Sequence, residues 1–181
     1  MFDGDIVLFK VAFANETETD WGEGNHTLHT NVDKAKSDAV AYIDNIMNNL
    51  KGNTAIVALS DFKNYRKKVM PTYKENRKGV RKPMGLSEVR EFIQKELPVY
   101  IRPTLEADDV LGILCTNPKR LPKPEKIVVS LDKDMKSFPG KHYNPDKPEE
   151  GILEIDVPEA NYFHMLQTLI GDRTYGYAGC P

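Results

Sequence analysis

Short apolar runs that end in aspartate constrain the fold of this chain more than any other feature. TAIVAL, residues 54–59, is followed by Asp61, and KIVVSL, residues 126–131, is followed by Asp132 and Asp134. Apolar runs of this length between turn residues predict buried strands. The acids then lie at the C-terminal ends of these strands, where open α/β sheets gather their ligands.

The first and last predicted strands complete this pattern. In MFDGDIVLF, Asp3 and Asp5 follow a short strand, and Gly4 allows a tight turn into a helix. ILEIDV, residues 152–157, is predicted as a third buried strand. Each predicted strand except this last one ends in aspartate. A single acid of this kind is an ordinary helix cap or turn residue, but a set that converges on one sheet edge needs another explanation.

Helical periodicity separates these strands. Apolar residues recur at helical spacing over residues 33–49, and a helix over residues 88–97 is capped by Ser87. Two further helices are predicted over residues 105–114 and from Pro158 to about residue 169. The alternation predicts an α/β domain with a mostly parallel central sheet flanked by helices.

The remaining segments are predicted to connect these strands and helices. Residues 17–30 are polar and contain glycines, which predicts a hairpin or a loop, and the proline-rich segments 118–124 and 139–148 are predicted as loops. No run of about 18 apolar residues suggests a membrane span. Two cysteines give neither a disulfide framework nor a CxxC metal site, so we expect a cytoplasmic location.

The stretch TLEADDVLGIL places three acids in four residues at the start of an apolar helix. Ala107, Val110, Leu111 and Leu114 form the stripe that faces the core, so Asp108 and Asp109 point to the other side, with Glu106 near them. Acids in a first helical turn also complement the helix dipole and remain hydrated. That simpler explanation accounts for a cap, but not for three acids.

Clustered carboxylates repel one another and raise one another's pKa, so such a cluster needs cations. Oxygen ligands without Cys or His favour Mg²⁺ or Mn²⁺ over zinc.

A basic segment could hold phosphate. Residues 63–82 contain nine Lys or Arg and one acid, Glu75, with Tyr65 and Tyr73 interleaved. Cations could bind the phosphodiester backbone while the aromatic rings stack on an unpaired base. A hydrated surface is the simpler explanation of a charge run. The chain has no GxxxxGK[ST] motif, so ATP use is not indicated.

These residues together resemble the 5′-nuclease superfamily, which includes phage 5′ to 3′ exonucleases, flap endonucleases and the nuclease domain of bacterial DNA polymerase I. The matching motifs are DGD, YR with YKENR, EADD, SLDKD and GDRTYGYAGCP, in family order over nearly the whole chain. The resemblance implies a PIN-like, resolvase-like core and a two-metal hydrolysis of DNA at 5′ ends or flaps, with Mg²⁺ or Mn²⁺ as the cofactor.

The resemblance also implies residue roles. Lys74 and Arg77 would contact the scissile phosphate, and Tyr73 would stack on the terminal base, with Tyr65 and Arg66 also binding substrate. Asp5 is an additional acid and a weaker candidate for a metal ligand. The metal cluster would comprise Asp3, Asp61, Glu106, Asp108, Asp109, Asp132, Asp134 and Asp172.

Departures from the family pattern leave alternatives open. Tyr175 stands where relatives usually have a second aspartate. We expect residues 1–181 to form the catalytic domain without the helix-hairpin-helix that grips duplex DNA in relatives, and only Met1 and Phe2 precede Asp3. A non-catalytic nucleic-acid-binding remnant of the fold and a PIN-like ribonuclease are the alternatives to a DNA nuclease.

Replacing Tyr175 by Asp should raise the Mg²⁺-dependent rate of DNA cleavage if Tyr175 weakens a second metal site. Single-turnover cleavage of a labelled 5′-flap oligonucleotide measures this, with Tyr175→Asn as an uncharged control. An unchanged rate in Tyr175→Asp would mean that the other acids suffice.

Overall fold

A six-stranded sheet forms the centre of the protein in a computed structural model that describes residues 1–117, 119, 125–172 and 176–180. Its six strands are β1 (Phe2–Asp3), β4 (Val57–Ala58), β5 (Val99–Tyr100), β6 (Ile127–Val129), β7 (Gly140–Tyr143) and β8 (Ile152–Ile155). They lie side by side in the order β5-β4-β1-β6-β7-β8. Every pairing is parallel except that of β7 with β8. The predicted α/β architecture with a mostly parallel sheet is confirmed.

Helices cover both faces of this sheet. Their bounds are α1 (Gly4–Ala14), α2 (Val32–Asn49), α3 (Arg66–Val69), α4 (Leu86–Glu96), α5 (Ala107–Thr116) and α6 (Val157–Ile170). One buried cluster joins α1, α2 and α4 to the side of the sheet that carries Val57 and Val129. A second joins α5 to the opposite side, which carries Ala58 and Val128. Adjacent residues of one strand thus pack into the cores on opposite faces of the sheet, because side chains alternate along a strand. No helix in the described ranges is long and apolar enough to cross a membrane.

One peripheral prediction is confirmed. Residues 17–30 form a hairpin of β2 (Glu16–Asp20) and β3 (His26–Thr30), which is mostly exposed. The basic segment is not one regular helix: α3 ends at Val69, and a short 3-10 helix covers Glu75–Arg77.

Three sequence-based predictions are wrong. Residues 140–143, predicted as a loop, form β7 inside the sheet. The strand at residues 152–155 is largely exposed rather than buried, because it forms the edge of the sheet. Helix α4 begins after Gly85, which adopts a left-handed conformation at φ 74°, so Ser87 lies inside the helix and does not cap it.

Gly4 is required by close packing of α1 against β4. A Cβ at this position would lie 2.6 Å from the carbonyl oxygen of Ala58 and 2.5 Å from Cγ1 of Val57. The sequence predicts a tight turn at Gly4. The structure gives a steric reason instead, because the backbone oxygen of Ala58 cannot move without disturbing the sheet.

Gly4→Ala should therefore lower the free energy of unfolding by about 1–3 kcal/mol, as overpacked core positions do. Gly112→Ala is the matched control, because its Cβ would meet the Phe138 ring at an ordinary 3.5 Å. Alanine is favoured over glycine inside a helix, so the control should be neutral or slightly stabilising. Urea unfolding of both variants measures the difference, and equal effects would contradict the steric explanation.

Candidate active site

An open cavity of about 290 Å³ lies at the C-terminal edge of the central strands. The ends of β1 and β6, the start of α5 and the basic segment all contribute to it. Its acidic lining residues are Asp3, Asp5, Glu106, Asp108 and Asp132, and its cationic lining residues are Lys74 and Arg77. Acids that are far apart in the sequence therefore meet in one place, which we call the carboxylate cavity.

Asp3 is held at the centre of this arrangement. It ends β1 and caps α1, accepting a hydrogen bond from the Ile6 amide at 3.3 Å. The Ser130 hydroxyl donates a second hydrogen bond to its other oxygen at 3.0 Å. Burial, followed by the charge of Asp5, raises the pKa of Asp3 from 3.8 to about 6, although both hydrogen bonds oppose this shift. Ionisation of this buried carboxylate is therefore less favourable than that of an exposed aspartate.

Asp108 has the most strongly raised pKa among these carboxylates. The predicted apolar stripe of α5 is confirmed, since Ala107, Val110, Leu111 and Leu114 are all buried. Asp108 projects from α5 into the carboxylate cavity. Burial and then the charges of Asp3, Asp132 and Glu106 raise its pKa from 3.8 to about 8. These electrostatic couplings show that the cavity's acids repel one another.

Glu106 is paired with groups of the basic segment. Lys74 Nζ donates to its Oε1 at 2.6 Å, and the Tyr73 hydroxyl donates to Oε2 at 2.7 Å. Only 20% of the Lys74 side chain is accessible because of this pairing. Arg77, the other cation of the carboxylate cavity, is exposed. The two cations therefore differ in their exposure to solvent.

Asp109 binds Arg66 through two parallel hydrogen bonds. The Nη1 and Nη2 atoms of Arg66 each donate to one oxygen of Asp109 at 2.7 Å. Burial alone would raise the pKa of Asp109, but these bonds and the backbone amide of Glu106 outweigh it and lower that pKa. Arg66, which is predicted to bind substrate, is joined to α5 in this way, and its guanidinium lies 5.0 Å from the ring centroid of the exposed Tyr65.

Asp134 and Asp172 form a neighbouring acidic pair. Asp134 lines a second cavity of about 660 Å³ that shares Glu106 and Asp108 with the carboxylate cavity. Gln167 of α6 donates a hydrogen bond to Asp134. Burial and then the charges of Asp132 and Asp172 raise the pKa of Asp134, although the bond from Gln167 opposes this. The predicted acids therefore lie in two adjoining groups.

Asp61 lies apart from both groups. Its two oxygens accept hydrogen bonds from the amides of Phe62 at 2.8 Å and Thr104 at 2.7 Å. These backbone donors, chiefly Thr104, lower the pKa of Asp61, and its side chain does not line the carboxylate cavity. Asp61 therefore fixes the backbone of its loop and lines, together with Asp5, a cavity that adjoins the carboxylate cavity.

Within the described residues, no three His, Cys, Asp or Glu side chains are arranged to hold one metal ion as they stand. Lys74 and Arg66 account for this in part, because they bind Glu106 and Asp109 directly. Tyr175, whose role was inferred from sequence, lies outside the described residues.

Two serines were missed by sequence reasoning. The Ser130 hydroxyl donates to Asp3 and accepts from the Asp132 amide at 3.1 Å, so it orients two acids at once. The Ser60 hydroxyl accepts a hydrogen bond from the Ala107 amide at 2.9 Å at the start of α5. A polar residue at the end of each apolar strand was the available sequence signal.

Comparison with known proteins agrees with this architecture. Residues 1–144 match the model of the family described as 5'-3' exonuclease, N-terminal resolvase-like domain. The chain belongs to this family. The predicted resolvase-like core is thereby confirmed.

Two phage enzymes are relatives within the 5′-nuclease superfamily. The exodeoxyribonuclease of Enterobacteria phage T3 is 32% identical over 189 residues, which cover 100% of this chain and 62% of that protein. The exonuclease of Escherichia phage T7 is 32% identical over 187 residues, which cover 99% of this chain and 61% of that protein. The chain thus spans about three fifths of the length of these relatives.

Solved 5′-nuclease structures share the fold. A phage T5 protein crystallised with metal ions superposes with a TM-score of 0.67 at 18% identity, covering 98% of this chain and 67% of that one. The bacteriophage T5 flap endonuclease in a complex with DNA and metal ions has a TM-score of 0.61 at 19% identity, covering 80% and 61% of the two chains.

The pKa of Asp108 makes stability depend on pH. Because its native pKa of about 8 exceeds its ordinary 3.8, the folded protein binds more protons than the unfolded chain between these values. Stability should fall as pH rises across this window in the absence of divalent cations. Asp108→Asn should remove the loss, raising the free energy of unfolding by on the order of 1–3 kcal/mol at alkaline pH and little at pH 4.

Urea unfolding in EDTA at both pH values measures this effect. Asp44→Asn is the control, because Asp44 is exposed on α2, and it should change stability equally at both pH values. A gain in Asp108→Asn that is independent of pH would mean that packing, rather than charge, is responsible.

Proposed function

We propose that this protein is a divalent-metal-dependent 5′ nuclease that hydrolyses DNA phosphodiester bonds at 5′ ends or flaps. The observation that carries the proposal is the carboxylate cavity, where Asp3, Glu106, Asp108 and Asp132 meet Lys74 and Arg77. Acids and phosphate-binding cations on the same cavity wall are suited to phosphoryl chemistry. The phage relatives are named as exonucleases, which supports the same reaction class.

The donor set fits a hard divalent cation. The cavity offers carboxylate oxygens and no Cys or His, which is the ligand chemistry that Mg²⁺ and Mn²⁺ prefer. Burial and then repulsion from neighbouring carboxylates raise the pKa values of Asp3 and Asp108, and a bound cation would favour their charged forms. We propose Asp3, Glu106, Asp108 and Asp132 as holders of one ion and Asp134 and Asp172 as part of a second site. Bound metal would supply charge neutralisation and a more acidic water.

The ion pair between Lys74 and Glu106 gives the basic segment a role in substrate binding. A phosphate entering the cavity offers Lys74 an alternative anion, which frees the Glu106 carboxylate for a cation. Lys74 and Arg77 would then bind the phosphate oxygens and stabilise the charge that develops on them. The backbone of Lys74 is in the left-handed region, at φ 55°, so the chain turns sharply at this residue.

Cleavage of a 5′-labelled flap duplex in Mg²⁺ or Mn²⁺ tests the proposal directly. We expect metal-dependent release of short 5′ products, abolished by EDTA and lost in Asp132→Ala. Arg77→Ala should lower the single-turnover rate by roughly 10²-fold, as removal of a charge-stabilising group does. Its melting temperature should be unchanged, because Arg77 is exposed.

Lys95→Ala is the matched control, since Lys95 is an exposed cation on α4. It should retain the wild-type rate. Binding of DNA without cleavage under any metal would indicate a non-catalytic remnant and contradict the proposal. Faster cleavage of the equivalent RNA would contradict the assignment of DNA as substrate.

A further inference from the structure

A third cavity adjoins the carboxylate cavity and is not used by the proposed mechanism. It has a volume of about 540 Å³ and shares Asp5, Phe9 and Ser60 with its neighbour. We call it the Phe62 cavity, after the aromatic residue on its wall. Its size lies in the range of about 300–1,000 Å³ that is usual for small-ligand sites.

The side chain of Phe62 is almost fully exposed to solvent. Its exposed fraction is 91%, the largest among the exposed large apolar side chains of the described residues. The guanidinium of Arg90 lies 4.9 Å from the ring centroid, so this cation covers one side of the ring. Water therefore covers the rest of the ring, which is open to a ligand.

The loop that carries Phe62 is fixed by Asp61. The Phe62 amide donates to one Asp61 oxygen, and the Thr104 amide donates to the other. The backbone amide of Asp61 also donates to the Leu105 carbonyl at 2.9 Å. These bonds join the loop to the segment that leads into α5. The backbone of this loop is therefore fixed before any ligand arrives, which reduces the entropy lost on binding.

Arg90 is fixed from the opposite side. Its Nη2 donates to the Ser60 carbonyl at 2.6 Å, and its Nη1 lies 3.7 Å from Asp5 Oδ1. Only 13% of its side chain is accessible, and the buried Nε has no hydrogen-bond partner among the described residues. A cation held against one side of an aromatic ring leaves the other side available for stacking.

We propose that the Phe62 cavity binds an unpaired base of the substrate strand, stacked on the Phe62 ring, beside the phosphate that is cleaved. The inference rests on the proposed function and names one of its substrate subsites. The shared lining residues put the base next to the carboxylate cavity. Stacking on an aromatic ring requires a base that has left the duplex, and it tolerates any base because each has a π-face.

A fluorescent reporter at position 62 tests binding without cleavage. Trp21 is the only tryptophan of the chain, so Phe62→Trp combined with Trp21→Phe leaves a single indole at the proposed site. In EDTA, an oligonucleotide with a 5′ overhang should quench this emission. An abasic residue at one overhang position should reduce the quenching, whereas abasic residues elsewhere should not.

Tyr162→Trp combined with Trp21→Phe is the matched reporter, because Tyr162 is 70% exposed on α6 and does not line the cavity. Its emission should not respond to the abasic position. Equal quenching of both reporters, or quenching that no abasic position alters, would overturn the proposal.

Steady-state kinetics give a second readout. Phe62→Ala should raise KM by about 5- to 150-fold, the range expected for loss of one aromatic stack, with a smaller change in kcat. Phe62→Tyr should restore the wild-type KM, and Tyr162→Ala should leave it unchanged. Phe62→Ala with wild-type KM would contradict the subsite.

The two proposals fail in different ways. Absence of metal-dependent cleavage by the wild-type protein would contradict the nuclease function, whatever the reporter shows. Normal cleavage together with an unresponsive indole at position 62 would contradict the Phe62 subsite alone. The folding control is simple, since truncation of a side chain that is 91% exposed should leave the melting temperature unchanged.

Discussion

Burial of the Asp3 carboxylate is the constraint on which the rest of this structure depends. Asp3 is 4% exposed at the end of β1, between β4 and β6 in the sheet. A buried carboxylate is costly unless hydrogen bonds and dipoles compensate it. The amide of Ile6 and the hydroxyl of Ser130 provide the bonds, and the N-terminus of α1 provides the dipole. The fold thus fixes one acid at the C-terminal edge of the sheet, and the neighbouring acids line the same cavity.

The basic segment takes its shape from these acids. Lys74 adopts the left-handed region at φ 55°, which costs roughly 1–2 kcal/mol for a residue other than glycine. Its ion pair with Glu106 and the bidentate pair of Arg66 with Asp109 offset this cost. Both partners lie at the start of α5, so the same electrostatic contacts order the segment and reduce repulsion within the carboxylate cavity.

The sequence pattern predicted elements whose stability comes from local periodicity, and missed those that depend on partners. The core stripe of α5 follows from apolar spacing alone, as does the strand containing Val57. In contrast, β7 contains Gly140 and a lysine and becomes a strand only because β6 and β8 pair with it. For the site, acids at strand ends were identifiable. Asp61 resembled them in sequence, but its backbone partners in the loop at Thr104 could be known only from the fold.

Ser60 lies between the two neighbouring cavities of the site and lines both of them. Its amide donates to Asp5 of α1 at 3.3 Å, its hydroxyl accepts from the Ala107 amide of α5, and its carbonyl accepts from Arg90 of α4. Three helices therefore meet at one residue that directly follows an apolar strand. A small polar side chain is needed there because an apolar one would leave the Ala107 amide without its acceptor. The distance between the carboxylate cavity and the Phe62 cavity is consequently set by hydrogen bonds at a single point of the sheet edge.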